Sequence, residues 1–359
     1  MAEQDLHATL DRLFTGDFPD PAACQQSLEA LLAIESRDAQ KILTDYADRV
    51  RLEHVGQGVL LRGIVEFSNR CQRTCHYCGL NIGNASLSRY ALSGEDILAS
   101  VESLHKAGIR TVVLQSGEVD TLPAEWLAEI VRDIRQRWPD MAITLSVGEK
   151  PEQTYALWKQ AGADRYLLKI ETTDPALYER LHPGMSLENR KNCLTTLRRL
   201  GYQTGSGGIV GLPGQTNASL ARDILFYRER QFDMIGISPL IPHPETPLAD
   251  TPLGDLNRAL KVIALTRIVA PRAHMPATTA MGSMQGVDHR PRALQAGCNV
   301  VMLNYTPLGF KQQYEIYPGK RCLKESFCAV GCITRMAESI GRFADLSVGH
   351  AIAFQREEV

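Results

Sequence analysis

No run of about 18 predominantly apolar residues, the length a membrane-spanning helix needs, occurs in the 359-residue chain. A spanning protein is not expected. The chain also lacks a basic excess: 39 Lys and Arg stand against 41 Asp and Glu, a formal net charge of −2. Nothing in that balance draws in a phosphate backbone or an anionic lipid surface, so neither nucleic acid nor membrane is an expected partner. The first residues, MAEQDLHATLDRLF, lack the basic-then-apolar order of an export signal and read as an acidic amphipathic helix. The expectation is a soluble, cytoplasmic chain. Hydrophobic residues at 44% with charged residues at 22% lack the bias of collagen-like, disordered or membrane sequences. The cysteines, finally, lack the even pairing of a small secreted framework: nine in number, they stand at 24, 71, 75, 78, 193, 298, 322, 328 and 332. Two tight triplets point to metal or redox chemistry in a reducing compartment, while Cys24, Cys193 and Cys298 fit apolar or helical patterns as small hydrophobes.

What is present is alternation. After a helical stretch over 1–50, β-rich runs alternate with helical ones. The runs LLRGIVEF (60–67), TVVLQS (111–116), AITLSV (142–147), RYLLKIE (165–171), QTGSGGIV (203–210), MIGISPL (234–240), MPATTA (275–280) and NVVMLN (299–304) predict eight strands. Units of this kind build a parallel sheet with right-handed crossovers. Eight of them predict a complete (β/α)8 TIM-type barrel over 51–310, with an N-terminal helical extension (1–50) and a C-terminal helical and loop cap (311–359). A doubly wound open sheet is the alternative. In a barrel the chemistry belongs at the C-terminal ends of the strands.

Directly after the first strand comes FSNRCQRTCHYCGLN, in which Cys71, Cys75 and Cys78 have the spacing C-x3-C-x2-C. Three thiolates on one loop can bind three irons of a [4Fe-4S] cube and leave the fourth iron open to a small molecule. A structural zinc site is the bland alternative. Such sites are closed by four ligands, and the adjacent candidate, His76, is poorly placed beside Cys75.

This motif, with Tyr77 as the aromatic before its last cysteine, resembles the signature of radical S-adenosylmethionine (SAM) enzymes. The resemblance implies that the open iron chelates the methionine part of SAM and that reduction yields a 5′-deoxyadenosyl radical. It also implies a SAM-binding set. Ser116, Gly117 and Glu118 in LQSGE end the second strand, where the Gly-Glu serves the methionine ammonium; Glu171 would contact SAM and Arg190 would meet its carboxylate. Lys169 stands where the family carries arginine, which turns a forked contact into a point charge. Gly211 and Leu212, in GGIVGLPGQT, would lie beside the adenine.

EFSNRCQRTCHYCGLN, VLQSGE, ADRYLLKIET, ENRKNCL, GIVGLPGQT, FDMIGISPLIPHPETPLA, PATTAMG, NYTP and YPGK, in this order over roughly residues 50–345, resemble the HydE maturases of [FeFe]-hydrogenase, grouped with biotin synthase and methylornithine synthase. That resemblance implies action on a sulfur-containing, cysteine-derived iron carbonyl cyanide precursor, with ferredoxin or flavodoxin as electron donor and other hydrogenase maturases as partners. Barrel geometry aims Gln115, Thr144, Thr278, Thr279, Met302 and Asn304 toward one mouth, and Tyr314 and Tyr317 would close it. His243, in the proline-stiffened IPHPETP, is more simply read as held by local hydrogen bonds.

The second triplet, Cys322, Cys328 and Cys332, predicts a second iron–sulfur cluster, since three clustered thiols exceed what packing explains. Its C-x5-C-x3-C spacing differs from the C-x7-C-x2-C of auxiliary clusters in the family, and free thiols are the alternative. Two other functions compete: a methylornithine-synthase-like enzyme acting on a small amino acid, and a non-enzymatic iron–sulfur carrier.

Overall fold

The computed structural model describes residues 3–320 and 329–352. Its core is a parallel sheet. The strands are β1 (Gly58–Ser68), β2 (Thr111–Ser116), β3 (Ala142–Ser146), β4 (Arg165–Leu167), β5 (Gln203–Val210), β6 (Met234–Pro239), β7 (Val300–Asn304) and β8 (Phe343–Asp345). Seven follow the path β6-β5-β4-β3-β2-β1-β7, and β8 adds a short parallel pairing to the start of β1. Helices between them begin where the sequence supplies caps. Ser93 and Asp96 form a capping box before Gly94–Lys106, Asp174 with Pro175 opens Pro175–Leu181, and Ser186 caps Leu187–Arg199.

The two faces of the strands differ, and that difference makes room for a site. Val65, Phe67, Leu114, Ile143 and Leu145 point outward and are buried against helices such as Ala124–Arg137, which lays down Leu127, Ile130, Val131 and Ile134. Near the C-terminal ends, the inward-facing Gln115, Ser146, Leu167, Met302 and Asn304 keep partial exposure. The opposite end is stoppered. The backbone carbonyls of Val348 and Gly349 accept from Arg165, Gly349 also accepts from Arg62, and Ala351 N donates to Gln203. Burial pulls the Arg165 guanidinium down to about 10, and these carbonyls satisfy it in place of acids.

Three expectations are corrected. The run 275–280 is no regular strand: Pro276 makes a single parallel bridge to Val300 on β7, and His274, just before the run, makes another to Met234 on β6. Pro276 has no N–H to give a ladder. The run 165–171 is regular only through Leu167, because Glu171 takes φ 62°, a left-handed conformation that no regular strand accommodates. The C-terminal cap contributes a strand, β8, as well as the helix Ala329–Glu338. Among the described residues no helix is long and apolar enough to cross a membrane.

Candidate active site

The cysteine loop leaves β1 at Ser68 and is held in shape by its own polar residues. Asn69 donates to Ser88 O and Gln313 O, and Arg89 donates to the carbonyls of Asn69, Leu80 and Asn81. Asn81 and Asn84 close it by donating to Cys78 O and Gly79 O. The loop then rests on the end of β2. Gly117 N donates to Ser68 O, Gln72 N to Glu118 O, and Glu118 N to the Cys71 sulfur at 3.4 Å. A methyl group on Gly117 would stand 2.3 Å from Arg70 O, so only glycine permits this approach.

Cys71, Cys75 and Cys78 form no disulfide. Burial, then the neighbouring Cys71, pushes the Cys75 thiol up to about 12; burial, then Cys75 and Cys71, raises Cys78 further. Among the described residues no three His, Cys, Asp or Glu side chains converge on the point a single metal ion would fill. A cubane presents a separate iron to each thiolate, so its ligands need not converge. The donor set therefore fits an iron–sulfur cluster better than zinc, and binding would release the protons that burial keeps on Cys75 and Cys78.

Around the thiols stands a frame of buried charge. Glu118 pairs with Arg73 at 2.6 Å and faces Arg190 at 3.6 Å, and Arg190 meets Glu149 at 2.7 Å. Burial opposes the Arg190 charge, yet Tyr178, Glu118, Glu149 and Tyr77 hold its pKa above the ordinary value. Lys169 lies 3.0 Å from Glu171. Glu171 also bridges to Gly208, and its positive φ is the kind of local strain that functional sites retain.

The expected residues fall into two linked groups. Tyr77 packs with Leu177, Leu181, Ile209, Leu212 and Leu240 in an apolar cluster separate from the main core. Gly211 does not present a bare backbone: its N–H is taken by Gln215, and Gly254 lies against it. Ser116 turns its hydroxyl onto Gly117 O. In the cavity group, Gln115 donates to Tyr314, and Thr279 bonds Tyr317. Thr144 and Thr278 carry buried hydroxyls with no hydrogen-bond partner among the described residues, an unmet bonding capacity that is uncommon for buried polar groups. Asn304 is occupied by Glu66 and Thr306, and Met302 keeps partial exposure. His243 is buried with its Nδ1 accepting from Glu245 N, as local bonding requires. Of the second triplet, Cys332 is exposed, and Cys322 and Cys328 lie outside the described residues.

Sequence reasoning passed over four residues. Arg73 is the arginine inside the first triplet and the chief partner of Glu118. Lys320, the last letter of YPGK, reaches Glu66 on β1 at 2.7 Å and lies over the Tyr314 ring. His182 accepts from Tyr77, and nothing in LHPG announces that partner.

A parallel α/β sheet carrying C-x3-C-x2-C at the end of its first strand, beside a buried acid–arginine frame, defines a radical SAM protein, and residues 65–226 match the radical SAM superfamily. The chain is 45% identical to the [FeFe] hydrogenase maturase subunit HydE of Thermotoga maritima, covering 89% of this chain and 91% of that protein. It belongs to that family within the superfamily. A 3-methylornithine synthase of Methanosarcina acetivorans is 28% identical over 84% of each chain. In fold it resembles the crystal structure of methylornithine synthase (TM-score 0.80, 24% identity, 94% of this chain and 97% of that one). It likewise resembles that of HydG, a maturase of the [FeFe]-hydrogenase (TM-score 0.81, 17% identity, 100% and 79%). The chain is thus a radical SAM enzyme using a [4Fe-4S] cluster and SAM.

Proposed function

We propose that this enzyme acts in maturation of [FeFe]-hydrogenase, on a sulfur-containing, cysteine-derived iron carbonyl cyanide precursor of the diiron subcluster. The observation that carries the reading is the 45% identity to a HydE maturase across nearly the whole of both chains, against 28% to a methylornithine synthase. Cys71, Cys75 and Cys78 would hold the cluster, and Glu118, Glu171, Lys169 and Arg190 would hold SAM. When bound, these groups supply one-electron cleavage of the sulfonium to a carbon radical. The protein's share is placement. Arg73 and Arg190 hold Glu118 in place, where it would accept from the ammonium of SAM, and Glu171 would offer a second acidic group from a strained backbone. The buried Thr144 and Thr278 hydroxyls would orient the substrate's polar groups. Gln313–Lys320, tied down by Tyr314, Tyr317 and Lys320, would keep water out.

The bridges at His274 and Pro276 are consistent with a sheet closed into a (β/α)8 barrel around this cavity. Ferredoxin or flavodoxin is the electron donor, other hydrogenase maturases are the partners, and the compartment is cytoplasmic in this reading. Cys322, Cys328 and Cys332 bind a second cluster in it. Iron content of the triple Cys322/Cys328/Cys332→Ser variant tests that point, and an unchanged count defeats it. Function is tested by introducing the chain into a host lacking its maturase: restored hydrogenase activity supports the reading. Failure to restore it, with a rearranged amino acid formed by the isolated enzyme, replaces it with the methylornithine-synthase-like alternative.

A further inference from the structure

Glu171 sits at the centre of a turn that its own side chain does not explain. Its φ is 62°, and Thr172 N donates across it to Ile170 O at 2.8 Å. A hydrogen bond from residue i+2 back to residue i around a positive φ defines the rarer, strained form of γ-turn. Strain of this kind persists only where the surroundings over-determine it. On the entry side β5 supplies the hold: Ser206 Oγ accepts from Ile170 N, Gly207 O accepts from Glu171 N, and Ile209 N donates to Glu171 O. The exit is fastened from elsewhere. Asp223, on the helix Asn217–Arg230, accepts with one carboxyl oxygen from both Thr173 N and Thr173 Oγ1, each at 2.6 Å. It is only 3% exposed, a burial whose cost an apolar side chain would avoid.

We propose that Asp223 is a positioning residue for SAM binding: by fastening Thr173 it keeps Glu171 in its γ-turn and so holds the Glu171 carboxylate in the SAM site. The inference rests on the reading of Glu171 as a SAM contact. Its physics is the release of strain. Freed at 173, the chain relaxes residue 171 toward a negative φ, which every residue but glycine prefers. That rotation breaks the bond from Thr172 N to Ile170 O and swings the Glu171 carboxylate away from Lys169, which it meets at 3.0 Å. Asp223 acts from a place no motif marks, on the buried face of a helix and 50 residues beyond Thr173.

The test is a titration of SAM into the anaerobically reconstituted enzyme, read as the spectral change of the reduced cluster, with iron per chain measured on the same samples. Asp223→Leu removes the acceptor. The SAM dissociation constant is expected to rise roughly tenfold, within the range of coupling between residues joined through one hydrogen-bonded segment, with iron per chain unchanged. Asp223→Asn, which keeps the accepting oxygen, restores the wild-type affinity. In a Glu171→Ala background Asp223→Leu is expected to weaken SAM no further, because no carboxylate is left to hold. Thr173→Val, which removes one of the two donors at a half-buried position, gives a reading that does not depend on the core tolerating leucine: a rise of about threefold, the worth of one modest hydrogen bond, supports the proposal, and an unchanged constant overturns it. Equal weakening by Asp223→Leu with and without Glu171, or loss of iron in step with loss of affinity, also overturns it, since a merely structural acid would act regardless of Glu171. Failure of Asp223→Asn to restore affinity does the same, by assigning the effect to charge. If Glu171→Ala alone leaves SAM affinity unchanged, the reading of Glu171 as a SAM contact falls and takes the inference with it; if Glu171→Ala weakens SAM and Asp223→Leu does not, the inference alone falls.

Discussion

Gly117→Ala tests whether the close seating of the cysteine loop on β2 is what forms the cluster site. The added methyl would lie 2.3 Å from Arg70 O and 2.8 Å from the Cys71 Cβ. Backbone and Cβ atoms, unlike the tip of a long side chain, cannot swing aside. To reach ordinary contact the loop must withdraw by roughly 1 Å, and overpacking of this kind costs about 1–3 kcal/mol. Much of that cost falls on the three bonds joining 68–72 to 117–118, among them Glu118 N to the Cys71 sulfur. The thermal midpoint should fall by only a few degrees, about 2–4 °C per kcal/mol for a domain of 150–250 residues. Iron retained after anaerobic reconstitution, however, should drop severalfold, because Cys71 moves with Arg70. Gly309→Ala is the control, since nothing lies within 4 Å of the added atom. Full iron loading of Gly117→Ala, with a wild-type spectral response to SAM, would show that the contact does not shape the site.

Two other perturbations have definite signs. Cys75→Ala should abolish the change that SAM produces in the spectrum of the reduced cluster, whereas Cys193→Ala, on the buried face of the helix Leu187–Arg199, should preserve it at a stability cost of about 0.5–3 kcal/mol; loss of the response with Cys193→Ala contradicts its assignment to packing. Burial pushes the Asp223 carboxyl up to about 7 even though it accepts from Thr173 N and Oγ1. The folded state therefore binds the proton more tightly than the unfolded chain, and stability falls as pH rises from the ordinary carboxylate range to about 7, by up to ~1.4 kcal/mol per pH unit. Denaturant midpoints of Asp223→Asn should lack that slope; parallel curves for variant and wild type would count against it.

The strands were legible where periodicity and burial agree. AITLSV and TVVLQS alternate residues that face helices with residues that face the cavity, and both form β-structure within a residue of the expected bounds. Legibility failed where the backbone answers to something other than the ladder. The run MPATTA has strand composition, but its proline cannot donate and the chain turns at Thr279, so it meets β7 at Pro276 alone, with His274 before it bridging to β6. In RYLLKIE the apolar pattern continues past the point where regular pairing stops, because Glu171 adopts a conformation its side-chain type does not announce. Residues 343–345 show no strand signal of their own, and they pair only because the start of β1 is available beside them.

The site divides along a similar line. Cys71, Cys75, Cys78, Tyr77 and Glu118 could be singled out as candidates because their signal is local: three cysteines within eight residues of one another, and a Gly-acid pair at a strand end. Arg73, His182, Glu66 and Lys320 could not, because each matters only through a partner 45 to 254 residues away in the chain. A single basic or imidazole side chain carries no signal until the fold supplies its counterpart. Lys320 is a case in point. Its ammonium meets Glu66 inside the sheet, Glu66 holds Asn304, and Lys320 lies over the Tyr314 ring whose hydroxyl receives Gln115. Two residues readable as substrate contacts, Asn304 and Tyr314, thus have their positions set by two that were not. The backbone beside them closes the circuit, because Ile316 O accepts from Gly79 N, one residue past Cys78. The segment 313–320 and the cysteine loop are therefore joined by hydrogen bonds, and a displacement of one must strain the other.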